Sequence, residues 1–230
     1  MTLRTGIAIF VKTPGHSPLK TRLAADIGAA SAQRFHELAA DAVGAVARKA
    51  QDRLPGCVAH WAIAEASALD DPRWACLSRL EQGDGDLGAR MERVSVALLG
   101  EFDAAVLLGA DAPQITVDDI HAAIRALESS QHVIGPGEDG GFWLFASRGG
   151  VPAHAWSSTP WSRADTAARF CEALGEVPIA RLRIVRDVDR AEDLPQVLAS
   201  LDGLRDPLPE QVRLAQWFRT DSATRCLVAP

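Results

Sequence analysis

Short apolar runs of strand length alternate with amphipathic stretches of helical period along nearly the whole chain. This alternation narrows the possible folds more than any other feature. Gly6 to Val11 and Ala104 to Gly109 are the clearest runs, short and apolar enough for a strand buried on both faces. Cys57 to Ala64, Leu77 to Glu81, His132 to Gly135, Phe142 to Ser147 and Leu182 to Arg186 read as further strands. Helices are expected from Ser31 to Lys49, from a cap at Asp86 to Leu99, and from a near capping box at Thr116 to Glu128. Three more are expected from Ser162 to Leu174, from Asp189 to Leu201 and from Pro209 to Phe218. The pattern predicts an α/β domain with a largely parallel sheet. Ligands of such sheets bind beyond the carboxyl ends of the strands, so polar clusters that follow strands become the candidates for function.

With 230 residues, 47% hydrophobic and 23% charged, one domain spanning 1–230 is expected, with a terminal helix at 207–218 as an appendage. No apolar run approaches the ~20 residues of a membrane helix. The first residues also lack the pattern of a signal peptide. No membrane partner and a cytoplasmic location are therefore expected. A net charge of -6 argues against nucleic acid as a partner. The four cysteines, Cys57, Cys76, Cys171 and Cys226, form no C-x-x-C pair and are expected to be reduced and mostly buried. No G-x-S-x-G elbow supports a hydrolase.

Five clusters follow predicted strands. The first, Lys12-Thr13-Pro14-Gly15-His16-Ser17-Pro18-Leu19-Lys20-Thr21-Arg22, gathers two of the chain's three lysines and an arginine before a helical stretch. Cations and free N–H groups at a helix start suit phosphate oxygens, although this is no P-loop. In the second, Gln82-Gly83-Asp84-Gly85-Asp86-Leu87-Gly88-Ala89-Arg90, the glycines admit either close approach to a flat ligand or a turn and helix cap. The third places Asp111 after the best strand, where Mg²⁺ would find a carboxylate, or where a turn precedes Pro113. The fourth, Asp139-Gly140-Gly141, reads as a hairpin turn or as the floor for an acceptor. The fifth holds Asp187 and Asp189, which point to opposite faces if extended. They share a metal only if the backbone turns there, and Asp189 is equally a helix cap. Trp156 and Trp161 flank a further loop that reads as a lid, an acceptor wall or plain packing.

Taken in order, K-x-P-x(5)-K-T-R-L, Q-G-x-G-D-L-G-x-R-M, G-x-D-x-P, G-P-x-E-D-G-G and D-V-D-x-x-E-D-L resemble the DUF2064 family of glycosyltransferase-like proteins, from Ile7 to about Leu198. The resemblance implies a three-layer α/β/α fold of the GT-A, nucleotide-diphospho-sugar transferase type. It implies likeness to 2-phospholactate guanylyltransferase and, more distantly, to the molybdenum cofactor nucleotidyltransferases. By that resemblance Lys20 and Arg22 would hold a triphosphate with support from Lys12 and Thr13. Gln82, Gly85, Leu87, Gly88 and Arg90 would lie along base and ribose. Asp111, Asp187 and Asp189 would bind Mg²⁺ or Mn²⁺, and Asp139, Gly140 and Gly141 would face a small-molecule acceptor. Lys20, Arg22 and Asp111 would carry catalysis. Two departures stand out: Ser17 occupies a position where many members have glycine, and Gly109-Ala110-Asp111 supplies half of a D-x-D signature. The second tilts the expectation from glycosyl transfer, including an arsenosugar-type pathway, toward Mg²⁺-dependent nucleotidyl transfer to a phosphorylated or anionic acceptor with pyrophosphate release.

Overall fold

A computed structural model of the chain describes residues 3–228. Among these residues seven strands, β1 (Thr5–Val11), β2 (Cys57–Ile63), β3 (Ser78–Glu81), β4 (Ala104–Gly109), β5 (His132–Pro136), β6 (Phe142–Ser147) and β7 (Ile179–Arg181), form one sheet in the order β3-β2-β1-β4-β6-β5-β7. Pairings are parallel except at β6, which runs antiparallel to β4 and β5. The exception has a local cause. β5 and β6 are joined by the short turn 137–141, and a connection that short can only return the chain antiparallel.

The described residues also form eight α-helices: α1 (Thr21–Ile27), α2 (Ala29–Arg53), α3 (Leu87–Glu101), α4 (Val117–Ala126), α5 (Ala153–Ser158), α6 (Thr166–Ala173), α7 (Leu194–Asp202) and α8 (Pro209–Thr220). Successive side chains of β1 go to opposite faces. Ile7, Ile9 and Val11 join Val43 and Val46 of α2 and Ile120 of α4 in one core. Ala8 joins Met91, Val94 and Leu98 of α3, Trp156 of α5 and Phe170 of α6 in the other. A third cluster lies outside α2, where Phe35, Leu38 and Ala39 meet Leu23 of α1, Leu194 and Val197 of α7, and Leu214 and Phe218 of α8. The expected three α/β/α layers are present, and α2 is buried on two faces by this additional outer layer.

Several expected elements move. The helix foreseen from Ser31 begins at Ala29, and a separate α1 precedes it. Gly28, at φ 86°, closes α1 by donating to the Ala24 carbonyl and opens α2 by accepting from Ala32. The helix expected from Ser162 begins at Thr166, because Ser162 sits in the left-handed region at φ 61°. The expected strand Leu182 to Arg186 is displaced. Ile179–Arg181 pairs with β5, the chain then leaves the ladder, and Val185 alone bridges to Gly137. The cap foreseen at Asp189 belongs to Asp193, whose carboxylate accepts from the Asp189 and Arg190 N–H groups at 2.9 and 2.8 Å. The four cysteines are free, but Cys57 alone is buried, while Cys76 and Cys226 are exposed. Among the described residues no helix is long and apolar enough to cross a membrane.

Candidate active site

At the carboxyl edge of the sheet lies a cleft of about 880 Å³, lined from both halves of the chain. Its first wall is the loop after β1. His36 of α2 holds that loop's start through Nε2 to the Lys12 carbonyl at 2.8 Å, and burial keeps the imidazole below its usual range. Glu65 organises the rest: its carboxylate accepts from the Thr13 N–H at 2.8 Å and from the Ser17 hydroxyl. Ser17 thus makes a contact that a glycine would lack. Thr13 is fully buried, with its hydroxyl accepting from Trp74 Nε1 at 3.0 Å. It shapes the loop and does not line the cleft. His16 pairs with Ser67 at 3.1 Å.

The loop delivers two cations. Lys20, in the left-handed region at φ 42°, donates from Nζ to Asp111 Oδ2 at 2.8 Å and to the Val188 carbonyl at 2.6 Å. Arg22 donates to Asp189 Oδ2 at 2.6 Å, with both side chains largely exposed. Burial alone would raise the Asp111 carboxyl, but the charge and hydrogen bond of Lys20 hold it below the usual carboxylate range. Asp187 goes the other way. Burial first, then the negative charges of Asp111 and Asp139, push its carboxyl up to about 7.

Two buried glutamines fix this acidic side. Gln211 of α8 donates from Nε2 to the carbonyls of Pro113 and Ile115 at 2.8 and 2.9 Å, pinning the segment just after Asp111. Gln114 donates to the Arg186 carbonyl beside Asp187, and the Val188 N–H donates to the Asp111 carbonyl at 3.3 Å. Arg186 in turn spans Glu138 and Asp193. These supporting residues, like Glu65, lie 48 or more positions from most of their partners, so sequence patterns do not reveal them.

The glycine-rich segment divides by role. Gln82 donates its amide to the Val11 and Ala62 carbonyls at 3.1 and 2.8 Å, tying β1 to β2 at their ends. Gly85 lines the cleft at φ 111°, Asp86 caps α3 through the Ala89 N–H, and Arg90 donates to the Gly85 carbonyl at 3.0 Å. Leu87, 43% exposed, faces the cleft. Gly88 does not line it. A Cβ there would stand 2.3 Å from Trp161 Nε1 and 2.5 Å from the Trp156 carbonyl, so this glycine serves helix packing.

The β5–β6 turn forms the far wall. Asp139 accepts from the Gly141 N–H at 2.8 Å, and both line the cleft. Gly140, at φ 84°, lies behind them: a Cβ there would stand 1.8 Å from the Ala164 carbonyl. The loop between α5 and α6, which holds Ala164, brings Trp161 and Arg163 to the cleft, with Trp161 donating to the Trp156 carbonyl at 3.0 Å. Trp156 itself is 1% exposed and belongs to the core.

The cleft therefore gathers Lys12, Lys20, Arg22, Gln82, Gly85, Leu87, Arg90, Asp111, Asp139, Gly141, Asp187 and Asp189, and leaves out Thr13, Gly88 and Gly140. The expected three-aspartate metal set does not assemble. Among the described residues no three His, Cys, Asp or Glu side chains group to hold a metal, and Asp189 is turned to Arg22. Asp111 and Asp187 do fit a cation. Two carboxylates that line one cleft are the donors that Mg²⁺ takes alongside substrate phosphates.

Residues 43–163 match the model of a family described as "uncharacterized protein conserved in bacteria (DUF2064)". No curated protein matches the sequence. The fold is similar to that of a protein from Desulfovibrio desulfuricans G20, provisionally named a nucleotide-diphospho-sugar transferase. The TM-score is 0.76 at 24% identity, covering 98% of this chain and 94% of that one. It is also similar to 4-diphosphocytidyl-2C-methyl-D-erythritol synthase from Anaerococcus prevotii (TM-score 0.55, 10% identity, 86% and 96% covered). A cytidylyltransferase from Leptospira borgpetersenii gives a TM-score of 0.53 at 14% identity, with 94% of each chain covered. What this chain shares with these three proteins is the α/β/α fold.

Proposed function

The chain belongs to the DUF2064 family, and from the geometry of its cleft we propose that it is a nucleotidyltransferase. It would join the nucleoside monophosphate of an NTP to a small anionic acceptor, with release of pyrophosphate. The observation that carries this reading is the meeting of Lys20 and Asp111 at the ends of β1 and β4, with Arg22 beside them. Cationic side chains here would bind the phosphate chain and stabilise charge that builds on it during transfer, with catalysis coming from positioning and electrostatics. Leu87 and Gly85 offer an apolar, closely approachable surface for the base, and Arg90 is held beside them by the Gly85 carbonyl. The opposite wall, Asp139, Gly141, Trp161 and Arg163, would face the acceptor.

Asp111 and Asp187 would hold Mg²⁺ or Mn²⁺, which supplies a Lewis acid for the phosphoryl oxygens. Lys20 keeps Asp111 ionised, Gln114 ties the two carboxylate segments together, and Gln211 pins the segment after Asp111.

The test is a thermal-shift panel with the four NTPs and with UDP- and GDP-sugars, each with and without Mg²⁺, followed by pyrophosphate detection in the presence of a set of small phosphorylated and carboxylated acceptors. A ligand at 100 times its dissociation constant adds about 2.7 kcal/mol of stability. A shift with one NTP and pyrophosphate release that Asp111→Asn abolishes is the expected result. Stabilisation by a nucleotide sugar alone, with release of a nucleoside diphosphate, would replace this reading with glycosyl transfer.

A further inference from the structure

Lys20 occupies a position that a cation at Asp111 would also seek. Its ammonium is bound by one carboxylate oxygen and one main-chain carbonyl, Asp111 Oδ2 and Val188 O, both of the hard-oxygen type that divalent cations prefer. It is held firmly there. The side chain is 12% exposed, the backbone is fixed at φ 42°, and the Phe35 ring lies 5.9 Å from Nζ. The nearby acidic groups are Asp187 and Asp139, while Asp189 is matched by Arg22. Lys20 is therefore the cation bound directly to Asp111, and its charge also reaches Asp187.

We propose that Lys20 and a divalent cation compete for Asp111 and the Val188 carbonyl, and that this competition couples entry of the cation to entry of a phosphate chain. The coupling rests on the nucleotidyl-transfer reading; the competition does not. A cation arriving alone must turn the ammonium out into the cleft without a new partner. A cation arriving with phosphates offers it one, because Lys20 lines the same cleft. Each ligand then raises the affinity of the other, as linkage requires.

The competition is tested with Mn²⁺ alone, by following free Mn²⁺ with electron paramagnetic resonance in the absence of any nucleotide. Lys20→Met should bind Mn²⁺ at least tenfold more tightly than the wild type. Lys20→Arg should stay near wild type, and Lys20→Met/Asp111→Asn should lose the gain. Circular dichroism checks that each variant is folded. Equal or weaker Mn²⁺ binding by folded Lys20→Met overturns the proposal.

A second measurement uses the wild type, so it stands even if Lys20→Met fails to fold. The chain has three lysines, Lys12, Lys20 and Lys49, so ¹⁵N-lysine labelling gives at most three side-chain signals. The Lys20 ammonium should show slowed exchange that Asp111→Asn removes. It should shift markedly with Mg²⁺ and tripolyphosphate together, and little with either alone. A signal unmoved by the pair overturns the coupling. Because the Mn²⁺ arm contains no nucleotide, failure of the nucleotide panel and failure of the competition remain separate results.

Discussion

Asp187 and Asp111 show how one site sets two carboxyls apart. Lys20 pulls Asp111 below the ordinary range, while burial and the charges of Asp111 and Asp139 lift Asp187 to about 7. A carboxyl raised on folding binds more protons in the native state than in the unfolded one. Stability therefore falls as pH rises from about 4 through 7, and the penalty is complete above 7. In metal-free buffer, Asp187→Asn should be more stable than wild type at pH 8, by about 2–4 kcal/mol, with the difference closing toward pH 4. Urea denaturation across that range checks it, and a variant less stable than wild type at pH 8 would refute the assignment. The same residue scale shows what a motif leaves open. That Lys20, Arg22 and Asp111 line the cleft was legible, because charge beyond a strand end has few structural uses. Thr13 sits in the same motif, yet its side chain turns into the core to meet Trp74, and nothing in the local pattern distinguishes the two directions.

At the scale of elements, strands β4 and β6 were legible to the residue, because a continuous apolar run bounded by turn residues has one economical reading. The displaced elements depend on backbone geometry that composition does not report. Gly28 splits one helical stretch into two, and Ser162 delays α6 by adopting positive φ. Gly88 is the sharpest case, since its place in a glycine-rich motif suggested a ligand while its neighbours are tryptophans. Gly88→Ala would push a methyl against Trp161 and Trp156, an overpacking that costs about 1–3 kcal/mol. The expected result is a lowered Tm with nucleotide affinity nearly unchanged, and a large loss of affinity with unchanged Tm would return Gly88 to the binding surface. Gly140→Ala should be more damaging than Gly88→Ala, because its Cβ would stand 1.8 Å from a main-chain carbonyl, closer than either contact at Gly88, and the position also needs φ 84°. A circular-dichroism melt of the two variants side by side orders them.

For the whole molecule, the outer layer is part of the site's support although it lies outside the matched residues 43–163. Phe218 stacks on Phe35 at 6.0 Å, so α8 covers a face of α2 that would otherwise be an apolar surface. From the same helix Gln211, 2% exposed, meets the carbonyls of Pro113 and Ile115 with its amide nitrogen and the Leu208 N–H with its oxygen. Each of the three backbone groups is satisfied by this one side chain, and an unsatisfied buried group costs about 1–3 kcal/mol. Gln211→Leu should therefore destabilise the chain by at least about 2 kcal/mol. It should also speed amide exchange in the segment 112–116, which carries the consequence to Asp111. Gln211→Glu keeps the acceptor for Leu208 but loses both donors, so it should repair little at neutral pH. Exchange confined to α8, with 112–116 still protected, would show that the helix covers α2 without steadying the active-site loop.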